Sequence, residues 1–135
     1  MYPGGAASMK IFIKNLVENG NIDEERIIFT AKDDCNLFSY LVTDTTYEDS
    51  GAVSDKLRHT YFFPDHEVRK GDLISLRTGV GNDIVYDKGG KKIHRFHWGL
   101  RRPVWNNSGD RAMLIEIGRV DVFPRSPNPF RGGRL

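Results

Sequence analysis

Short runs of β-favouring residues recur along this chain. An amphipathic helix needs apolar side chains at i, i+3, i+4 and i+7, and no stretch maintains that spacing. The runs are instead rich in Ile, Val, Phe, Tyr and Thr, which strands favour. They predict strands at residues 9–14, 26–31, 40–43, 57–63, 73–77, 93–97, 112–117 and 119–123.

Turn-forming residues separate these predicted strands. Gly, Asn, Asp and Pro cluster between them, and residues 17–25 form a polar, turn-rich connection. Short strands at such spacing are typical of a β-sandwich or barrel. The sequence therefore predicts one all-β domain at residues 9–123, with an unstructured leader at residues 1–8 and a mobile tail at residues 124–135.

A sharp corner is predicted in the second half of the chain. Trp98 and Trp105 are aromatic anchors, and the residues that follow them tolerate positive φ or accept backbone N–H groups in turns. We expect the fold to be specified by Trp98, Trp105, Asn106, Asn107, Gly109 and Asp110.

The chain beyond this corner predicts a hairpin. Ala112 and Leu114 alternate with Met113 and Ile115, so each pair faces one side of a strand. The glycine that follows permits a tight reversal into residues 119–123. If Ala112 and Leu114 face the core, the other pair points outward.

These segments carry a resemblance to a known family. Trp-Gly-Leu at residues 98–100 and Val-Trp-Asn-Asn-x-Gly-Asp-x-Ala-x-Leu at residues 104–114 resemble the most recognisable stretch of the lamin tail domain. That family is the immunoglobulin-like module of nuclear lamin tails and of many bacterial proteins. Residues 61–64, 71–79 and 25–29 resemble its middle and early strands, so the resemblance spans about residues 9–123.

The resemblance implies an immunoglobulin-like β-sandwich of two antiparallel sheets, in a stand-alone member of the bacterial type. It also implies a module without catalytic activity that attaches to or recognises proteins, nucleic acid or chromatin. No cofactor is implied, and the cellular compartment stays unassigned.

Length and composition agree with one small domain. The chain has 135 residues, of which 39 % are hydrophobic, enough for a single core. Its one cysteine, Cys35, excludes an internal disulfide and a thiolate-rich metal site. No run approaches the ~18 apolar residues of a membrane-spanning helix, so we expect a soluble domain without a membrane partner.

Charge is unevenly distributed along the chain. Residues 1–50 carry four basic and nine acidic side chains, whereas residues 51–135 carry sixteen and nine. Residues 88–102 hold the densest basic stretch, interleaved with Phe96 and Trp98, and such a pattern suits phosphates and stacked bases. The opposing interpretation is a solvated loop whose aromatic side chains face the core. The candidate nucleic-acid contacts are Lys88, Lys91, Lys92, Arg95, Arg101 and Arg102.

Outward apolar residues provide a second candidate surface. Met113 and Ile115 point away from the core if the predicted hairpin forms, and Ile28 does so opposite Ile27 and Phe29. These three residues either contact a protein partner or are covered by the chain's own loops and tail.

Histidines invite a metal interpretation that the spacing disfavours. Strand residues three apart point to opposite faces, so His94 and His97 do not easily share one ion. A metal-dependent hydrolase using His59, His94 and His97 is kept as a contrast, but no metal site is predicted. Calcium at Asp110 with its two preceding asparagines, Asn106 and Asn107, is disfavoured because turn formation accounts for all three.

No nucleophile is predicted either. Cys35 follows Asp33 and Asp34, and neighbouring carboxylates raise the pKa of a thiol and disfavour the thiolate. The serines lie in turns without a glycine-elbow motif. The sequence therefore predicts a non-catalytic recognition or scaffolding module that binds a protein, with nucleic-acid binding as the alternative.

Overall fold

Strands dominate the part of the chain that the computed structural model describes, residues 9–46, 58–105 and 110–125. The helix in this part is a single 3-10 turn at Leu37–Ser39, and no helix there is long and apolar enough to cross a membrane. The strands are β1 Ile11–Val17, β2 Arg26–Ala31, β3 Cys35–Asn36, β4 Tyr40–Thr46, β5 Thr60–Phe62, β6 Glu67–Val68, β7 Leu73–Arg77, β8 Ile84–Lys88, β9 Lys91–His97 and β10 Asp110–Glu116.

The larger sheet has the order β1-β2-β7-β9-β8. Its neighbours are antiparallel except β7 and β9, which run parallel. A register irregularity interrupts β1 between Ile13 and Asn15. Gly89 and Gly90, both at positive φ, form the tight turn between β8 and β9.

A second sheet has the order β10-β4-β5, and β3 pairs with β6 in a short ribbon. Side chains from both larger sheets share one core, where the Phe63 ring packs edge-on against Phe29 and Phe96, each with centroids 5.5 Å apart. The predicted all-β sandwich is confirmed, although the parallel pair β7–β9 makes the larger sheet mixed and not purely antiparallel.

Individual strands test the sequence pattern. β2 and β7 have the predicted bounds, whereas β8 was not predicted. The predicted strand at residues 119–123 is wrong, because the described backbone there belongs to no strand. Val120 and Val122 instead stay largely exposed.

The corner residues depend on a buried acid. Glu25 is fully buried, and its carboxylate accepts hydrogen bonds from the backbone N–H groups of Val104 (2.9 Å), Trp105 (3.3 Å) and Gly20 (2.7 Å). The Thr78 hydroxyl donates a fourth bond, at 2.5 Å. Glu25 therefore ties the start of β2 to the corner.

Trp98 and Trp105 pack against the core as anchors, with ring centroids 6.2 Å apart. Trp105 is almost completely buried, whereas Trp98 is half-buried and contacts the Tyr61 ring. Asp110 begins β10. The other residues predicted to specify the corner, Asn106, Asn107 and Gly109, lie outside the described residues.

Candidate functional site

An apolar groove of about 510 Å³ lies at one end of the three-stranded sheet β10-β4-β5, which we call the smaller sheet. Its most exposed apolar members are Phe38, Phe62, Val120 and Val122, and Phe62 keeps 62 % of its surface accessible. Contiguous exposed apolar surface is a feature of interaction sites and ligand-binding grooves. The groove is lined by Phe38, Ser39, Phe62, Phe63, Ile117, Gly118, Arg119, Val120 and Val122.

Local sequence explains why Phe38 projects into the groove. The Asn36 side chain caps the 3-10 turn by accepting a hydrogen bond from the Phe38 N–H at 2.9 Å, and its amide donates to Asp65 at 2.6 Å. The tight turn then buries Leu37 and exposes Phe38. Of these two successive apolar residues, Leu37 thus packs in the core and Phe38 is exposed.

Phe62 extends the groove onto the outer face of the smaller sheet. Leu41 pairs with Ile115 on one side and with Phe62 on the other, so the three side chains form one cross-strand row. Ala112 and Leu114 pack against the core as predicted, while Met113 and Ile115 point outward and are half-buried.

Ile28 does not belong to this surface. It lies on the outer face of the larger sheet, half-buried, in register with Asn15 and Ser75. The outward orientation predicted for Ile28 is therefore confirmed, since Ile27 and Phe29 are fully buried. The structure brings Met113 and Ile115 together, but it places Ile28 in the other layer.

The basic stretch at residues 88–102 is divided between surfaces. Side chains alternate between the two faces of a strand, which places Lys88, Lys91 and Arg95 on the outer face of the larger sheet. Lys92 lies on the opposite face, across from Asp87. Phe96 faces the core, as the opposing interpretation of this stretch expected, and Trp98 packs against it. Arg101 and Arg102 lie beyond β9 and are exposed.

Two arginines that the sequence did not single out join this outer face. Arg26 and Arg77 lie directly opposite each other on β2 and β7, and Arg95 follows on β9 beside Ser75. Arg95 also donates a hydrogen bond to the Tyr86 hydroxyl at 2.9 Å and covers its ring at 5.0 Å. We call Arg26, Arg77 and Arg95 the arginine cluster.

Three of the four histidines are paired with carboxylates. His94 Nε2 lies 2.8 Å from Asp72 Oδ2, His59 Nδ1 lies 3.2 Å from Asp44 Oδ1, and His97 Nδ1 lies 3.2 Å from Asp83 Oδ1. His94 faces the core and His97 the outer face, so the prediction that they point apart is confirmed. The described residues include no group of three or more metal-ligating side chains.

His66 and His94 form a relay with Asp72. The carboxylate accepts from His94 Nε2–H, which leaves His94 Nδ1 to accept from His66 Nε2–H at 2.7 Å. Burial lowers the pKa of His66 below its ordinary value, and the neighbouring His94 lowers it further. The neutral form of His66 is therefore the one that the fold favours.

The relay predicts that acid destabilises the fold. Because folding lowers the pKa of His66, the unfolded chain binds more protons near its ordinary pKa of about 6.5. We expect the melting temperature to fall as the pH is lowered from about 7.5 to about 5.5, and His66→Gln to flatten that slope. Calorimetry of both proteins across this range is the measurement. An equal slope in the two proteins would contradict the relay.

Cys35 gives no sign of nucleophilic activation. Burial raises the pKa of its thiol, and Asp33 and Asp34 raise it further, against a lowering by Lys10. The predicted direction is confirmed, although burial, and not the carboxylates, is the larger cause.

Comparison of the chain with models of known protein families gives no match, and comparison with curated proteins gives none.

Proposed function

We propose that this protein is a non-catalytic recognition module that binds a segment of another protein in the apolar groove. The observation that carries the proposal is the exposure of Phe38, Phe62, Val120 and Val122 around one concave surface. Protein-binding sites are centred on such aromatic and aliphatic anchors, which exclude water when a partner fills the pocket.

The partner's chemistry follows from the groove lining. Arg119 is the one charged side chain among the described lining residues, and no carboxylate accompanies it there. An apolar segment with an acidic residue at its flank would fill the groove and face this cation. The row formed by Ile115, Leu41 and Phe62 continues the apolar surface beyond the groove.

We also propose that the domain is of the lamin tail type. The all-β sandwich, the buried Trp105 and the packing of Trp98 beside it support this assignment. The recognition role implied by the resemblance agrees with an exposed apolar groove.

Replacement of Phe62 by serine tests the groove. Peptides selected from a randomised library on the wild-type protein should carry aliphatic or aromatic residues beside Asp or Glu. Phe62→Ser should weaken their binding about 30-fold, the loss of a typical hot-spot residue. Because Phe62 is 62 % exposed, folding should be nearly unaffected. Fluorescence anisotropy measures the affinities.

Val80→Ser is the matched control. Val80 is also a largely exposed apolar residue, at 76 %, but it lies outside the groove, so its replacement should leave the peptide affinity unchanged. Peptides that bind both variants as tightly as the wild type would refute the groove as the site. Sedimentation of the wild type as a dimer, and of Phe62→Ser as a monomer, would replace the proposed partner with a second copy of the chain.

A further inference from the structure

The arginine cluster concentrates positive charge on the outer face of the larger sheet. Adjacent strands lie about 4.8 Å apart, so Arg26 and Arg77, paired in register, project side by side. The side chains of Arg26 and Arg77 are only 26 % and 21 % exposed. Like charges are thus held together in a partly desolvated setting.

Little negative charge compensates the cluster. The Glu24 carboxylate forms ion pairs with both Arg26 and Arg77, at 3.7 Å from each, and it is half exposed. The hydrogen bonds of these guanidinium groups within the described residues go to neutral oxygens, the backbone carbonyls of Glu24 and Asp23 and the hydroxyl of Tyr86. Among the described residues, three arginines and one glutamate leave a local surplus of two positive charges.

Hydrogen-bonding capacity is also left unused. The Nε atoms of Arg77 and Arg95 are buried without a hydrogen-bond partner among the described residues. Burial and the charges of Arg95 and Arg26 lower the pKa of Arg77, while Glu24 raises it. Both observations describe cations that find few acceptors among the described residues, where Glu24 is the one carboxylate paired with them.

A polar cleft adjoins the cluster. It has a volume of about 360 Å³ and begins where β7 and β9 end, so that Arg77 borders both the cleft and the cluster. Arg101 adds a second guanidinium group to its wall, and Asp23 adds a carboxylate. A ligand whose anionic group lies on the cluster would therefore have room for its remaining atoms.

We propose that the arginine cluster binds a phosphate group, with Arg77 and Arg95 as the principal contacts. A phosphate monoester carries a charge close to −2 at neutral pH, which matches the local surplus. Planar guanidinium groups present paired N–H donors in the geometry that phosphate oxygens accept. This site goes beyond the proposed function, since it lies on the other sheet of the sandwich.

Two sources supply the same chemistry. A small phosphate monoester would place its phosphate on the cluster and its remainder in the cleft. A nucleic-acid strand would lay its phosphodiesters across the same face, where Lys88 and Lys91 extend the positive charge. The shared ligand is phosphate.

The test follows the arginine Nε–H signals of the folded protein by nitrogen-15 NMR. Inorganic phosphate, a nucleoside monophosphate and a short oligothymidine are added in turn at constant ionic strength. The Arg77 and Arg95 signals should shift and saturate with phosphate and with at least one of the other two probes. Tighter binding of the monophosphate identifies a small ligand, and tighter binding of the oligothymidine identifies a nucleic-acid strand.

Matched variants separate a built site from general attraction. Arg77→Gln and Arg95→Gln should each weaken phosphate binding about tenfold, the usual loss for a charge-assisted contact. Arg69→Gln removes the same charge at a site that is 76 % exposed outside the cluster, and it should leave the affinity unchanged. Signals that do not move, or equal weakening by all three variants, would overturn the proposal. Peptide binding in the groove is measured separately, so the two proposals fail independently.

Discussion

Replacement of Glu25 by alanine is expected to lower the free energy of unfolding by about 4 kcal/mol. The carboxylate accepts four hydrogen bonds, and it is fully buried. Alanine would leave three backbone N–H groups and the Thr78 hydroxyl without an acceptor. Each buried donor that loses its partner costs about 1–3 kcal/mol, although relaxation and water entry recover part of the sum.

Chemical denaturation of the wild type and the variant measures this loss. Glu24→Ala is the matched control, because the neighbouring carboxylate is half exposed and makes only long ion pairs with Arg26 and Arg77. Its replacement should cost less than about 1 kcal/mol. A Glu25→Ala protein as stable as the control would contradict the role of Glu25 as the tie between β2 and the corner.

Replacement of Trp105 by alanine is the second large effect, with an expected loss of about 4 kcal/mol. The indole is almost completely buried and packs beside Trp98, so its removal opens a large cavity. Trp105→Phe should cost clearly less, because it keeps an aromatic ring and removes an Nε1–H group that is buried without a partner among the described residues. Thermal and chemical unfolding of the two variants give the comparison.

The loss of stability in Trp105→Phe, relative to that in Trp105→Ala, shows how much of the stabilisation an aromatic ring retains. A phenylalanine variant as unstable as the alanine variant would contradict the expectation that an aromatic ring at this position supplies most of the stabilisation. A Trp105→Ala variant as stable as the wild type would show that the corner does not stabilise the sandwich.

Much of the fold could be predicted from the sequence, because burial imposes period-two patterns on strands. β2 alternates Ile27 and Phe29 with outward residues, and its bounds were predicted correctly. β8 was missed because its apolar residues, Ile84 and Val85, adjoin each other and are both exposed at the edge of the sheet. An edge strand need not carry the alternation that a buried face imposes.

The predicted strand at residues 119–123 shows the converse error. Val-Asp-Val has the alternation of a strand. A strand also needs a neighbouring strand whose backbone groups are free to pair with it, and the alternation does not show whether one is present. In the described structure β10 pairs with β4, and the segment after it lines the groove. These residues form no strand, and Val120 and Val122 line the groove instead.

Neither candidate site could have been found from local sequence alone. Arg26 and Arg77 are distant in the chain and meet only through the register of β2 and β7. The parallel pairing of β7 and β9 then brings Arg95 beside them, and no local motif encodes that pairing. The exposure of Phe38 likewise depends on the capped 3-10 turn, which directs its side chain outward.

Chemical-shift mapping of a library-selected peptide tests the recognition function most directly. The nitrogen-15 spectrum of the labelled protein, recorded as the peptide is added, should shift at the backbone signals of Phe38, Phe62, Ile117 and Val120. Signals of the arginine cluster should stay in place. Shifts confined to the larger sheet, or spread evenly over both sheets, would contradict the account.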